Sequence, residues 1–156
     1  MITRRHFLVL AGGALAAGAA QAQLAPNIAA LRRAALEEAI RKVTGGAPVR
    51  TGRVKLDIPP LIDNGNAVPM TVTVDSPMTE ADHVTAIHLF TEKNPQPNVI
   101  AAHLGPRAGR ARVAIRSRIA DSGVVIAMAR MSDGSFWQER VNVIVTLSAC
   151  LEDGLI

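Results

Sequence analysis

The sequence predicts an all-β protein with a single helix ahead of the strands, and three observations lead to this prediction. From Gly52 onward, apolar and polar residues alternate with a period of two, the spacing of half-buried strands. Clusters of Asp, Asn, Gly, Ser and Pro interrupt this alternation about every ten residues. Before Gly52, apolar residues recur at helical intervals of three and four. We therefore predict an immunoglobulin-like antiparallel β-sandwich of about seven strands with one N-terminal helix.

Residues 1–22 predict a twin-arginine signal peptide. Arg4 and Arg5 precede Phe7 and an apolar stretch that is shorter than the about 20 residues of a membrane span. Ala20 and Ala22 supply the small residues of a signal-peptidase site, although an uncleaved anchor is the alternative. We therefore expect a periplasmic protein, exported by the twin-arginine pathway and without a membrane span after cleavage.

Residues 23–46 are predicted to contain the helix, from Pro26 to Thr44. Leu31, Ala35 and Ile40 belong to its apolar stripe, and charged residues lie between them. Gly45 and Gly46 then supply the usual C-terminal stop.

The predicted sandwich occupies residues 47–147. Its strands are expected near Arg53–Ile58, Ala67–Asp75, His83–Glu92, Asn98–His103, Gly109–Ile119, Gly123–Met131 and Phe136–Leu147. The segments between them, such as 63–66 and 132–134, have the chemistry of turns.

Two strands are apolar on the face that a two-layer sandwich turns outward. Residues 124–129 are apolar throughout, and Ile144 lies opposite the apolar face of the last strand. Because that outer face should be polar, something is expected to cover it. A second subunit and the N-terminal helix are both open as the cover.

Composition argues against nucleic acid as a partner. The net charge is +4, and loss of Arg4 and Arg5 with the signal lowers it to +2. Only Phe90, Phe136 and Trp137 supply aromatic rings after cleavage, which is too few for a stacking surface.

The single cysteine, Cys150, is the main candidate site residue. In an oxidising compartment it has no internal partner, so it is either a buried small hydrophobe or a group for chemistry. Its place near the C-terminus favours chemistry. The neighbouring Glu152 and Asp153 disfavour the reactive thiolate.

Four arginines form a possible docking stripe. Arg110, Arg112, Arg116 and Arg118 are spaced for one face of a strand, which suits an anionic surface or small oxyanions. A merely solvated outer face is the alternative.

The three histidines outside the signal, His83, His88 and His103, do not predict a metal site. His83 and His88 are five residues apart, so on one strand they would point to opposite faces. We expect neither a metal nor a cofactor.

Several motifs in order resemble the SoxY family of thiosulfate-oxidation carrier proteins. They are Asp63-Asn64-Gly65-Asn66-Ala67-Val68-Pro69, Ser76-Pro77-Met78-Thr79, Lys93-Asn94-Pro95-Gln96-Pro97 and Met131-Ser132-Asp133-Gly134. The resemblance implies an immunoglobulin-like sandwich that forms a heterodimer with a SoxZ-like protein. It also implies a covalent substrate carrier, and not a catalyst, with Cys150 as the attachment residue. Transient docking to periplasmic Sox enzymes, including c-type cytochromes, follows from the same resemblance.

The predicted C-terminal arm, residues 148–156, departs from the family pattern. The family has Gly-Gly-Cys-Gly-Gly there, whereas this chain has Ser148-Ala149-Cys150-Leu151-Glu152. The alternative is therefore a SoxY-like paralogue that binds the partner without loading sulfur. A thiol enzyme or redox protein is a third reading, disfavoured because there is no resolving cysteine.

Overall fold

The computed structural model describes residues 27–149, which form an all-β, immunoglobulin-like sandwich with one helix, as predicted. The helix, α1, spans Ile28–Thr44. The strands are β1 (Val49–Thr51), β2 (Val54–Asp57), β3 (Leu61–Ile62), β4 (Val68–Val74), β5 (Val84–Thr91), β6 (Asn98–His103), β7 (Arg112–Ser117), β8 (Gly123–Met131) and β9 (Phe136–Val145).

The strands form two sheets. The larger sheet has the order β1-β9-β8-β5-β6, and β3 pairs with β9 beside β1. The smaller sheet has the order β2-β4-β7, with all its pairs antiparallel. Strand β9 therefore has β8 on one side, while β1 and β3 share its other side.

Alternating apolar residues hold the sheets together. Along β4, Val68, Met70, Val72 and Val74 are buried, whereas Pro69 and Thr73 between them are exposed. These side chains pack with the inward residues of β5, β8 and β9 in one continuous core. Burying each such side chain contributes about 1.5–3 kcal/mol.

The helix begins at a capping asparagine and ends at two glycines. Asn27 Oδ1 accepts a hydrogen bond from the Ala30 N–H at 3.1 Å, which satisfies one of the free donors of the first turn. Gly45 and Gly46 adopt φ angles of 63° and 84°, a region that glycine enters without steric cost. The sequence therefore predicted the end of the helix from its chemistry.

From Arg32 onward, α1 covers the outer face of the larger sheet. Leu36 packs there with Phe90, Ile126, Met128 and Phe136 in a second buried cluster. A second subunit and the N-terminal helix were both open as the element that covers the apolar outer face of residues 124–129. In the structure, the helix covers it. Ile144 on β9 is not covered in this way, because 62% of its surface is exposed.

Two strands were not predicted, and both are very short. β1 and β3 pair in parallel with β9, which departs from the purely antiparallel sandwich expected from the sequence. Strands of two or three residues carry no periodic signal of their own, since their existence depends on the long-range partner.

No helix within residues 27–149 is long and apolar enough to span a membrane.

Candidate functional site: the sandwich end that leads to Cys150

The described chain stops one residue short of the predicted attachment site. Cys150 lies outside the described residues, as do the signal peptide 1–22 and the rest of the predicted arm. Ala149 is described, and only 4% of its surface is exposed. The approach to Cys150 is therefore packed against the sandwich as far as the preceding residue.

Gly65 clamps this approach through its backbone. Its N–H donates to the Leu147 carbonyl at 2.8 Å, and its carbonyl accepts from the Ile119 N–H at 2.8 Å. A Cβ at Gly65 would lie 2.4 Å from the Ile119 carbonyl oxygen and 3.0 Å from the Ala149 nitrogen. Only a residue without a side chain allows so close an approach of three backbone segments.

Ser122 and Thr146 fasten the end of β9. The Ser122 hydroxyl accepts a hydrogen bond from the Val145 N–H at 2.9 Å. The Thr146 N–H donates to the Ile62 carbonyl at 2.9 Å, and the Thr146 hydroxyl donates to the Asp63 carbonyl at 3.0 Å. Val145 and Thr146 are therefore bonded to two separate segments of the chain, around Ser122 and around residues 62–63.

Asn94 braces the loop on which the Gly65 clamp depends. Its Nδ2 donates to the Arg118 carbonyl at 2.9 Å, and its Oδ1 accepts from the Ala120 N–H at 2.8 Å. These two bonds hold the segment around Ile119. Two motifs that are far apart in sequence, 63–69 and 93–97, thus meet at the sandwich end that leads to Cys150.

Sequence reasoning interpreted residues 64–66 only as a turn. That interpretation is confirmed, because Asn64 Oδ1 accepts from the Asn66 N–H at 2.9 Å. It missed the contact of Gly65 with the end of β9. A glycine inside an Asx turn was the available signal, but its partners are more than 50 residues away in the chain.

The four arginines of the predicted stripe are all exposed. Arg112 and Arg116 lie within β7 on the outer face of the smaller sheet, whereas Arg110 and Arg118 flank that strand. The stripe ends beside the Gly65 clamp, since Arg118 directly precedes Ile119. Arg116 and Arg118, with Asn66 and Gln96, line an open cleft of about 630 Å³.

The three histidines His83, His88 and His103 differ in their burial and in their position relative to the strands. The predicted strand that contains His88 is confirmed as β5, but it begins at Val84, so His83 directly precedes it. His88 is buried on the helix-covered face of the larger sheet, and His103 is exposed. Residues 27–149 hold no group of three or more His, Cys, Asp or Glu side chains placed to bind a metal ion.

The pKa of His88 lies below its ordinary value of 6.5, first because of burial and then because of the positive charge of His103. Arg130 on β8 faces it as a further positive group. The proton is therefore bound at a higher pH in the unfolded chain than in the folded one.

Stability should accordingly fall as the pH drops below about 6.5, because protons bind preferentially to the unfolded state. We expect His88→Phe to lose part of this dependence, since phenylalanine does not titrate. His83→Gln is the control, because His83 is partly exposed and its Nδ1 contacts the Thr79 carbonyl at 2.9 Å. Urea unfolding between about pH 5 and 7.5 measures the effect. If the free energy of unfolding of His88→Phe depended on pH as strongly as that of the unmodified chain, the assignment of this dependence to His88 would be contradicted.

A family comparison decides the relationship of this chain. The family model described as "Sulfur oxidation protein SoxY" matches residues 40–150. The chain belongs to the SoxY family. The match begins in α1, includes all nine strands and ends at Cys150, so the resemblance inferred from the sequence motifs is confirmed.

Solved structures agree with this assignment. The sulfur carrier protein SoxY from Chlorobium limicola f thiosulfatophilum is similar, with a TM-score of 0.62 and 26% identity over 74% of this chain and 96% of that one. A superoxide reductase (neelaredoxin) from Ignicoccus hospitalis has a TM-score of 0.55 and 17% identity over 62% of this chain and 94% of that one. A putative superoxide reductase from Thermotoga maritima has a TM-score of 0.51 and 19% identity over 62% and 86%. At these low identities, the two reductases share the fold alone. A search of curated proteins gives no match.

Proposed function

We propose that this chain is a sulfur-compound carrier subunit of the Sox thiosulfate-oxidation system, with Cys150 as the covalent attachment residue. One observation carries the proposal. The SoxY match extends to Cys150, and the single cysteine of the chain lies five residues after the end of β9, beyond Leu147, which is bonded to Gly65. These contacts fix the position of Ala149, the residue before Cys150.

Attachment needs a thiolate and an electron acceptor. The Cys150 sulfur bonds to the outer sulfur of thiosulfate, the thiol loses its proton, and the new S–S bond releases two electrons. The family resemblance implies that a c-type cytochrome accepts these electrons. The carrier holds the product and is not the catalyst. The twin-arginine pattern in residues 1–22 supports a periplasmic location, where such partners are found.

The second part of the proposal is a heterodimer with a SoxZ-like protein. Leu61 and Ile144 are register partners across β3 and β9, and Leu147 follows two residues after the end of β9. Their surfaces are 56%, 62% and 59% exposed, respectively. Leu61 and Ile144 are therefore two large apolar side chains exposed side by side, which indicates a protein interface. We place the SoxZ-like partner on this apolar cluster, and the docking of Sox enzymes on the arginine stripe.

A non-loading paralogue is the second candidate function. Burial of Ala149 favours it, because a packed residue directly before Cys150 shortens the reach of the thiol. Leu151 and Glu152 add bulk and charge where the family has glycine. Such a paralogue would keep the partner surface and leave the chemistry to another subunit.

Intact mass separates the two candidates. The protein is purified without reductant from cells that oxidise thiosulfate, and Cys150→Ala is purified in parallel. For a carrier, we expect a thiosulfonate or sulfane adduct on the peptide that contains Cys150, and no adduct on the variant. A bare thiol in a chain that still binds its partner would refute loading and support the paralogue.

A further inference from the structure

A cavity between the end of α1 and the outer face of the larger sheet contains basic side chains from three neighbouring strands. Its volume is about 250 Å³, room for a small ion with several waters, since one water occupies about 30 Å³ of the liquid. The lining residues are Val43 from the helix, Thr85, Ala86 and His88 from β5, His103 from β6, and Arg130 from β8. None of them is acidic.

The strand register brings the basic groups together. Ala86 is paired with His103 on one side and with Arg130 on the other, and its small side chain leaves space between them. His88 is two residues further along β5 and therefore on the same face. Diagonal neighbours on one face are about 7–8 Å apart, within reach of long side chains.

An irregularity in β5 shapes the wall of the cavity. The pairing with β8 shifts between Val84 and Ala86, so that Thr85 is an extra residue there. Its hydroxyl donates to the Arg130 carbonyl at 3.0 Å. Bulges of this kind turn a side chain in a new direction and occur often beside binding sites.

His88 is the most deeply buried of the three basic side chains. It is only 9% exposed, and its Nδ1 makes no hydrogen bond in the structure, although the side chain of Asn98 on β6, whose Oδ1 is also buried and unbonded, faces it. Within residues 27–149, Arg130 and His103 have no ion pair with a carboxylate. Arg130 and His103 are exposed at the mouth of the cavity and His88 is buried behind them, so a bound anion would supply the counter-charge that the lining residues lack.

We propose that this cavity binds a small tetrahedral oxyanion of the sulfate type, held by Arg130, His103 and His88. The Arg130 guanidinium donates charge-assisted hydrogen bonds to such an ion, one imidazole N–H of each histidine donates a further hydrogen bond, and the Thr85 bulge sets the wall beside it. A metal ion is disfavoured, because two histidines beside a guanidinium ion provide too few ligands and an opposing charge. The site is separate from Cys150, and sulfate does not react with thiols, so the proposal does not depend on sulfur loading.

The test is a sulfate titration of the full chain at constant ionic strength, with chloride as the balancing ion. We expect low-millimolar sulfate to raise the unfolding temperature saturably, because a ligand that binds only the folded state stabilises it. Arg130→Gln should weaken the apparent sulfate affinity about tenfold. Lys55→Gln, which removes an exposed cation of β2 that belongs neither to the cavity nor to the arginine stripe, should leave the affinity unchanged.

A second measurement keeps the test independent of variant stability. Sulfate should shift the imidazole nitrogen resonances of His88 in the unmodified chain, whereas chloride should not. Equal sulfate stabilisation of Arg130→Gln and the unmodified chain would overturn the proposal. A saturable effect of Zn²⁺ alone, without any effect of sulfate, would also overturn it and indicate a metal site instead.

Discussion

Gly65→Ala is expected to lower the free energy of unfolding by about 3 kcal/mol, combining overpacking with the weakening of two backbone hydrogen bonds. The added Cβ would lie 2.4 Å from the Ile119 carbonyl oxygen, a distance that requires backbone movement. Such movement separates the turn at residues 64–66 from Leu147 or from Ile119, since Gly65 makes a backbone hydrogen bond to each of them. Urea unfolding measures the loss, and protease cleavage near the C-terminus reports whether the end of β9 is released.

Gly105→Ala is the matched control. No heavy atom lies within 4 Å of a Cβ added there, and Gly105 has a φ of −137° that any residue adopts. Its effect should stay within about 0.5 kcal/mol. If the two alanine variants were equally stable, the Gly65 contact would not be a clamp.

Ile144→Asp is expected to weaken binding of a SoxZ-like partner at least about tenfold, since a charge placed in a buried apolar contact lacks a counter-charge. The variant should remain folded, because the side chain is 62% exposed in the isolated chain. Titration calorimetry with the partner protein from the same system measures the change.

Leu31→Asp serves as the control for that experiment. Leu31 is also a large apolar residue, with 60% of its surface exposed, but it lies in α1 and is not one of the exposed apolar residues at β3 and β9. It should leave partner affinity unchanged. If both variants bound the partner with the same affinity as the unmodified chain, the surface around Ile144 would not be part of the interface.

The predictable part of this protein is the part specified by local pattern. The alternation in β4 and the double glycine after α1 each identify an element, because a strand face and a helix end have their own chemistry. β1 and β3 could not be found in this way, since only pairing with β9 makes them strands.

The candidate sites were less predictable for the same physical reason. Gly65 acts on Leu147, and Asn94 acts on Arg118 and Ala120, so their roles depend on contacts across the fold. The cavity around His88 depends on a one-residue register shift at Thr85. No spacing rule predicts such a shift, whereas the family motifs identified the relevant loops without indicating what they do.

The pairing of β9 has a mechanical consequence. Under the proposed carrier function, a force that draws Cys150 towards a partner's active site would pull along β9, which is bonded to β8 on one flank and to β1 and β3 on the other. Its ladder hydrogen bonds lie across the direction of pull, so they share the load in shear instead of opening one after another. Extension under tension should therefore stop at Leu147, which is bonded to Gly65 just after the Thr146 contacts with Ile62 and Asp63, and the sandwich should keep its shape while residue 150 is pulled.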